Sequence, residues 1–282
     1  MADTPQKSLT QEEIARYKRH LLLKEIGGQG QRKLKNARVL IVGAGGLGSP
    51  LLMYLAAAGV GTIGVIDDDT VSPDNLQRQI AHDTGSVGTP KVASAQATLR
   101  RVNPNVAVET IEARLTAANA LEIISRFDIV ADGSDNPATR YLVSDACYFA
   151  KRPLVFGAVG PFDGYVSTFK PHETDDDGNP YPTYRCLFPD APPPGTVPSC
   201  EEAGVLGSVV GVIGTLQATE VIKEIVGAGT GLAGRLLVYD ALAARFEVLQ
   251  VAWDPENPLT GNDPTIKDLS GHPDNTGPAC AA

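Results

Sequence analysis

The chain has 282 residues, of which 43% are hydrophobic and 20% are charged, and its formal net charge at pH 7 is −9. This composition is typical of a soluble globular protein with one large or two small domains, and the acidic balance disfavours nucleic acid and membranes as partners. A polar N-terminus without an apolar signal core and four cysteines without a C-x-x-C pair predict a cytoplasmic protein.

The first predicted element is an N-terminal helical arm in residues 1–35. Thr10 and Glu13 have the spacing of a capping box, and Tyr17 and Leu21 then recur with helical period. The sequence RYKRH gives this helix a cationic face, which on its own predicts solvated surface.

Residues 36–170 alternate between apolar strands and helices. The predicted strands lie, in order, in ARVLIVGA, GTIGVID, NVAVETIEA, DIVADGSDN and RPLVFGAV, with helices between them and an amphipathic strand, GYVSTFK, after them. This alternation predicts an α/β fold with a Rossmann-like, doubly wound, mostly parallel sheet that helices cover on both faces. Gly59 is expected to end the helix that follows the first strand.

The remainder of the chain has a different pattern. Residues 171–203 are rich in proline, glycine and acidic side chains and predict a long flexible loop. Residues 204–252 predict a helix and two strands joined by a tight turn, which form an antiparallel C-terminal extension of the same domain. Residues 253–282 are predicted to form a polar, poorly ordered tail.

The helix predicted after residue 203 contains regularly spaced glycines. Gly204, Gly207, Gly211 and Gly214 are separated by three and four residues, so they share one helix face and are expected to pack closely against the sheet. Charged and amide side chains interrupt the apolar run, which therefore predicts a buried helix rather than a membrane span.

A glycine-rich motif lies between the first strand and its helix. Gly43, Gly45 and Gly48 form G-x-G-x-x-G, with Gly46 inside it, and such glycines allow phosphate to approach the backbone and the helix N-terminus. Asp67 ends the second strand at the position expected for an acid that binds ribose hydroxyls. The motif predicts a nucleotide site but does not separate NAD from ATP.

Polar side chains near other strand ends favour ATP. Asn75 and Arg78 follow the second strand, Lys91 begins the next helix, and Asp135 and Asn136 follow the fourth strand. The carboxyl ends of the strands of an open α/β sheet line one crevice, so these groups are expected to converge. Two cations and an acid suit a triphosphate with Mg²⁺, whereas hydride transfer needs a nicotinamide pocket and usually a proton donor.

These residues resemble motifs of the MoeB/ThiF (HesA/MoeB/ThiF) family of ubiquitin-activating-enzyme-like adenylyltransferases. The matching sequences are RYKRHLLL, VLIVGAGGLGSP, VIDDDTVSPDNLQRQ, VGTPKV, DGSDNPATRYLVSDAC, CEEAGVLGSVVGVIGTLQATEVIK and LLVYDAL, in family order from about residue 11 to residue 250. The resemblance implies ATP-dependent adenylylation of the C-terminal glycine of a small ubiquitin-like sulfur carrier ending in Gly-Gly. Pyrophosphate leaves, and the carrier is primed for thiocarboxylate formation. The sequence does not choose among molybdopterin, thiamine, cysteine and thiolated-tRNA synthesis.

The resemblance also implies roles for individual residues. Asp67 would bind ribose, and Asp135 would bind Mg²⁺ or orient the reacting groups. Arg19 would reach into the site of a partner subunit, which implies a homodimer. The implied nucleotide contacts are Gly43, Ala44, Gly45, Gly46, Asp67, Asp69, Asn75, Arg78, Lys91, Asp135 and Asn136, and the implied catalytic residues are Arg19, Arg78, Lys91, Asp135 and Cys200.

The chain departs from the family pattern at the places of two C-x-x-C pairs, and the role of Cys200 is left open. Many family members hold a structural zinc ion with two C-x-x-C pairs, but here TYRC and NPLT occupy those places, and one thiolate is too few for a closed site. No structural zinc is therefore predicted. Cys200, which would precede a helix, is either a catalytic thiol or an incidental one. No fused sulfurtransferase segment follows residue 250, so a separate sulfur-donor protein is expected.

Two other functions remain open from the sequence. One is an NAD(P)-dependent oxidoreductase, and the other is a catalytically silent ATP-binding scaffold for sulfur carriers. The four histidines, His20, His82, His172 and His272, show no metal-ligand spacing and are predicted to lie on the surface.

Overall fold

The computed structural model describes residues 8–175, 177–192 and 204–273. Its strands are β1 Arg38–Val42, β2 Thr62–Ile66, β3 Ala107–Ile111, β4 Ile129–Asp132, β5 Leu154–Val159, β6 Asp163–Phe169, β7 Arg235–Asp240 and β8 Arg245–Gln250. Its helices, numbered along the described residues, are α1 Gln11–Arg16, α2 Lys18–Leu21, α3 Gly27–Asn36, α4 Gly48–Ala58, α5 Lys91–Val102, α6 Ala120–Ser125, α7 Pro137–Ala150, α8 Tyr184–Leu187 and α9 Gly207–Val226.

The eight strands form one sheet in the order β3-β2-β1-β4-β5-β6-β7-β8. Strands β1 to β5 are parallel, because a helical connection brings the chain back to the same end of the sheet before each new strand begins. Strands β6, β7 and β8 extend the sheet with antiparallel pairing. The predicted Rossmann-like sheet with an antiparallel C-terminal extension is confirmed. The strand order reverses between β1 and β4, and this switch point lies beside the glycine motif.

The central strand β1 is buried on both faces of the sheet. Val39 and Ile41 belong to the core beneath α4, α5 and α9, whereas Leu40 and Val42 belong to the core beneath α6 and α7. Side chains of a strand alternate between faces, so a continuous apolar run places apolar groups in both cores. This packing fixes the point at which the backbone leaves the sheet and enters the nucleotide motif.

The N-terminal arm begins with the predicted capping box. The Thr10 side chain accepts a hydrogen bond from the Glu13 backbone N–H, and the Glu13 carboxylate accepts one from the Thr10 backbone N–H at 2.7 Å. The predicted single helix is divided into α1 and α2 at Tyr17, whose ring packs on Gly59 and whose hydroxyl accepts a hydrogen bond from Asn103 at 2.8 Å. Gly59 ends α4 with φ of 84°, as predicted.

The glycines of α9 do not pack as predicted. Gly204 precedes the helix, with φ of +74°, and Gly214 lies against Leu47 and Pro50 at the start of α4 rather than against the sheet. The close packing between α9 and the sheet instead depends on glycines of the sheet. Side chains of α9 lie where a Cβ on Gly157 of β5 or on Gly164 of β6 would be. In the described part of the chain, no helix is sufficiently long and apolar to cross a bilayer.

The described parts of the predicted flexible loop and of the predicted tail make specific contacts with the rest of the domain, while the flexibility of these segments stays a prediction. Helix α8 forms within the loop, and its residue Tyr184 packs between Tyr141 and Phe156. In the tail, Leu259 and Leu269 are buried, and the side chain of His272 is bonded to Asp145 at 2.9 Å. These contacts join residues that are distant in sequence, so local composition did not predict them.

A hydrogen-bonded clasp joins α8 to the C-terminal segment at the positions where relatives would bind zinc. The amide of Asn257 donates to Thr183 Oγ1 at 2.9 Å and to Cys186 Sγ at 3.0 Å, and its carbonyl accepts from the backbone N–H of Leu259 and Thr260. The four positions do converge, but an amide donor is directed at the single sulfur. This donor set does not fit zinc, which requires deprotonated sulfur or nitrogen ligands.

Replacing Asn257 with alanine is expected to lower the free energy of unfolding by about 1–3 kcal/mol, because buried groups lose their partners. Chemical denaturation measures this change, and the exposed Asn179→Ala substitution is the matched control that should have little effect. A chelator should leave the melting temperature of the wild-type protein unchanged. A lower melting temperature in chelator would show that a metal ion, and not the clasp, holds this segment.

Candidate nucleotide and catalytic site

The glycine loop connects β1 to α4 at the switch point of the sheet. Gly43 has φ of 92°, a left-handed conformation that favours glycine, and a side chain on Gly48 would collide with the Gly43 carbonyl. Helix α4 has no side-chain cap, but the Ser49 N–H already donates to the Gly45 carbonyl at 2.9 Å and Pro50 has no N–H. Phosphate would therefore approach the backbone of the glycine loop that precedes the helix.

Asp67 is held beside this loop by backbone hydrogen bonds. Its Oδ2 atom accepts from the Ala44 N–H at 2.7 Å, and its Oδ1 atom accepts from the Asp69 N–H at 2.8 Å. Burial raises the pKa of Asp67, and the positive charge of Lys91 partly opposes this effect. Lys91 is itself only 6% exposed, and it pairs with Asp69 Oδ2 at 2.8 Å. A buried cation therefore lies next to the expected ribose-binding acid.

Asn75 and Arg78 lie on the segment that covers the glycine loop. Asn75 is buried and ends a short 3₁₀ helix, and the Arg78 guanidinium donates to the Asp74 carbonyl at 3.1 Å. The Cγ and Cδ atoms of Arg78 lie 3.7 and 3.8 Å from the position that a Cβ on Gly46 would occupy. The stem of this arginine therefore runs along the phosphate-binding loop, which leaves its guanidinium near the crevice.

Asp135 is exposed after β4, and its carboxylate bonds to no other described residue. Its neighbour Asn136 has a different local role, because Asn136 Oδ1 caps α7 by accepting from the Thr139 N–H at 2.9 Å. The Asx-type turn that follows β4 is formed by Asp132 and Ser134. The carboxylate without a described partner on this turn is thus that of Asp135.

The turn that carries Asp135 is held in place by buried polar groups. Asp132 is fully buried, and its Oδ1 atom accepts from the Ser134 N–H at 2.9 Å. Burial raises the pKa of Asp132, and Arg140 partly opposes that effect. Arg140 also donates to the Ser134 carbonyl at 3.3 Å, and Gln217 of α9 donates to the Asp132 carbonyl at 2.8 Å. These contacts fix the backbone immediately before Asp135.

An acidic cluster in the site does not by itself define a metal centre. Carboxylate oxygens of Asp67, Asp68 and Asp69 lie within 4.8 Å of one another. However, Asp68 pairs with Arg114 at 3.1 Å and Asp69 pairs with Lys91, so both acids already have positive partners. Acidic groups of this kind are common without an ion, so the cluster carries no metal assignment.

The predicted surface position of His82 is wrong. His82 is 7% exposed, its Nε2 atom lies 2.8 Å from the Ala44 carbonyl, and its Nδ1 atom lies 2.9 Å from Ser94 Oγ. A carbonyl only accepts, so Nε2 carries the proton and the imidazole supports the glycine loop from behind. No spacing in the sequence signals this role, because the ring meets a residue 38 positions away.

His82 should make stability depend on pH. Burial lowers its pKa below the ordinary value of 6.5, so the unfolded chain binds a proton more tightly than the folded chain. The free energy of unfolding should therefore rise with pH up to about 6.5 and then lose this dependence, because both states are neutral above that value. Urea unfolding from about pH 5 to 8 should show a smaller slope for His82→Gln than for the wild type. Equal slopes would contradict this assignment.

Two candidate catalytic residues, Arg19 and Cys200, are not among the side chains described so far. Arg19 is exposed on α2, two residues after Tyr17, which packs on Gly59 at the end of α4 opposite the glycine loop. Because α4 has 11 residues and is about 16 Å long, Arg19 lies too far away to enter the site of its own chain. Cys200 lies outside the described residues.

The fold and the site define a nucleotide-binding α/β protein with cationic and acidic side chains around its phosphate loop. More specifically, the chain belongs to the ThiF family, whose model matches residues 17–259.

Several proteins are similar to this chain along most of its length. A "Sulfur carrier protein adenylyltransferase" of Thermus thermophilus is 51% identical over 260 residues, covering 92% of this chain and 95% of that protein. A "SAMP-activating enzyme E1" of Haloferax volcanii is 48% identical over 254 residues, covering 90% and 91%. The structure of Escherichia coli MccB covers 91% of this chain and 75% of that chain with a TM-score of 0.76, and at 22% identity it supports the fold alone.

Proposed function

We propose that this protein is an adenylyltransferase that uses ATP to activate the C-terminal glycine of a small ubiquitin-like sulfur carrier. The single observation that carries the proposal is the position of the Arg78 stem along Gly46, on the same loop whose Ala44 N–H binds Asp67 beside the buried cation Lys91. The full-length similarity to the Thermus enzyme supports the same activity and the same class of partner.

In the proposed reaction, MgATP is a substrate whose phosphates lie against the glycine loop. The terminal carboxylate of the carrier attacks the α-phosphorus, a new P–O bond forms, and the bond to the β-phosphate breaks to release pyrophosphate. Arg78 and Lys91 stabilise the charge that develops on the phosphates, Asp135 binds the substrate's Mg²⁺ or orients the reacting groups, and Asp67 holds the ribose. A carboxylate nucleophile needs no general base, so catalysis depends on position and charge.

The surroundings of the crevice favour a protein as the second substrate. Phe162, Leu206 and Leu242 are 45%, 48% and 77% exposed, and the turns that carry Phe162 and Leu242 lie at the carboxyl edge of the parallel strands. The Ala241 N–H donates to the Phe162 carbonyl at 2.8 Å, which holds the two turns together. We name these three side chains the apolar rim. A small-molecule substrate would not require an apolar rim, whereas apolar groups form the centre of protein interfaces.

The apolar rim gives a test of carrier docking. Leu242→Asp is expected to raise the KM for the carrier by about tenfold or more, because a charge would enter the apolar contact, and to leave the KM for ATP unchanged. Initial rates of pyrophosphate exchange measure both constants. Leu121→Asp, an exposed leucine on α6, is the matched control. Equal effects of the two substitutions would place the carrier elsewhere.

The proposal includes a homodimer in which Arg19 of one subunit serves the site of its partner. The position of Arg19 beyond the far end of α4 supports this arrangement, because the side chain cannot serve its own site. A separate protein would donate sulfur to the activated carrier, and Cys200 remains a candidate thiol for that later step.

Pyrophosphate exchange tests the proposed function. Labelled pyrophosphate should enter ATP only when a purified ubiquitin-like carrier ending in Gly-Gly is present, and a carrier without its final glycines should not support exchange. ATP binding without exchange for any carrier would favour the silent scaffold. Selective binding of NAD(P)H in place of ATP would favour the oxidoreductase and contradict the proposal.

A further inference from the structure

Gln79 is a buried amide side chain beside the glycine loop, and the functions assigned above do not use it. It is 4% exposed, and its backbone N–H donates to the Asn75 carbonyl at 2.9 Å. Its Nε2 atom lies 3.6 Å from the position that a Cβ on Gly45 would occupy, so its amide is directed at the phosphate-binding loop.

The amide of Gln79 has no partner in the described protein. Its Oε1 atom is buried without a hydrogen bond, and no described residue bonds its Nε2 atom. His82, three residues later, differs because both of its ring nitrogens are bonded. Buried polar groups are almost always hydrogen-bonded, so an unpartnered amide next to the glycine loop indicates a ligand.

We propose that Gln79 binds the phosphate chain of the nucleotide at Gly45, an inference that rests on the proposed use of ATP. Phosphate oxygens are acceptors, and the amide N–H₂ group donates to them. Since no protein group fixes the orientation of the amide, an arriving phosphate sets which end faces the loop. Arg78 and Lys91 supply charge, while Gln79 supplies a directed hydrogen bond that adds no charge to the crevice.

Binding measurements with two ligands test this inference. Gln79→Met keeps the size of the side chain and removes its polar atoms, so it should weaken MgATP binding by about tenfold. Adenosine binding should not change, because adenosine has no phosphate. Gln79→Glu should weaken MgATP binding further, because it places a negative charge against the phosphates. Gln77→Met is the matched control, since Gln77 is exposed two residues earlier.

Two results would overturn the inference. The first is wild-type affinity for MgATP in Gln79→Met, and the second is an equal loss of MgATP and adenosine binding, which would make Gln79 a packing residue. If Gln79→Met does not fold, Gln79→Glu carries the same comparison. These assays need no carrier. The two proposals can therefore fail separately. If the wild-type protein shows no carrier-dependent exchange but Gln79→Met still loses affinity for MgATP and not for adenosine, the adenylyltransferase proposal is refuted and the phosphate contact of Gln79 stands.

Discussion

Replacement of Asp135 by alanine is expected to lower carrier-dependent pyrophosphate exchange by about a hundredfold or more. MgATP binding should weaken if the carboxylate binds Mg²⁺ and should change little if it only orients the reacting groups. Asp135 is exposed and bonds to no described residue, so its loss removes no contact that holds the fold. The neighbouring groups that fix the turn, Asp132 and Arg140, remain in place. The measurement is the exchange rate at saturating carrier, together with calorimetric binding of MgATP.

The charge of Asp135 can be separated from its size. Asp135→Asn keeps the shape of the side chain, so it should be nearly as inactive as Asp135→Ala if the carboxylate contacts Mg²⁺ or the reacting groups. Asp177→Ala, which removes an exposed acid from a loop outside the site, should retain full exchange. Normal exchange in Asp135→Ala would remove this residue from the mechanism. A loss of melting temperature in proportion to the loss of exchange would instead indicate a structural role.

Replacement of Arg19 by alanine should reduce exchange by a similar factor, because the partner's site would lose a cation near the transferred phosphate. Because the length of α4 separates Arg19 from the site of its own chain, a subunit with an intact Arg19 should restore the site of a partner that lacks this arginine. The measurement is exchange by Arg19→Ala alone, by Asp135→Ala alone, and by the two proteins after mixing and subunit exchange.

Mixing the two inactive variants should restore about a quarter of wild-type exchange. Half of the randomly formed dimers are mixed, and each mixed dimer contains one site with both Asp135 and the partner's Arg19 intact, as twofold symmetry requires. Arg19→Ala mixed with itself is the control. No recovery after proven subunit exchange would contradict the shared site, and full activity of Arg19→Ala would exclude any catalytic role for that arginine.

Much of the fold is visible in the sequence because its signals are local. A strand buried on both faces is a continuous apolar run, and β1 shows this pattern, with successive side chains entering the two cores. The capping box at Thr10 and the left-handed end of α4 at Gly59 also depend on residues within a few positions. The site residues that follow strand ends were predicted to converge because the topology of such sheets requires it.

The features that the sequence did not reveal depend on contacts between distant residues. The bond between His272 and Asp145 joins positions 127 residues apart, and no local pattern in the polar C-terminal segment predicts it. His82 appeared to be surface because the carbonyl that it supports lies in another element. Gln79 was not singled out for the same reason, since burial next to Gly45 is decided by packing and not by local pattern.

The most direct test of the central claim is the mass of the carrier after incubation with this protein and MgATP in the absence of a sulfur donor. The carrier should become heavier by one adenylyl group (AMP less water), attached as an acyl-adenylate at the terminal glycine, with stoichiometric release of pyrophosphate. A carrier that stays unmodified while the protein hydrolyses ATP to ADP, or AMP attached at a residue other than the terminal glycine, would contradict it.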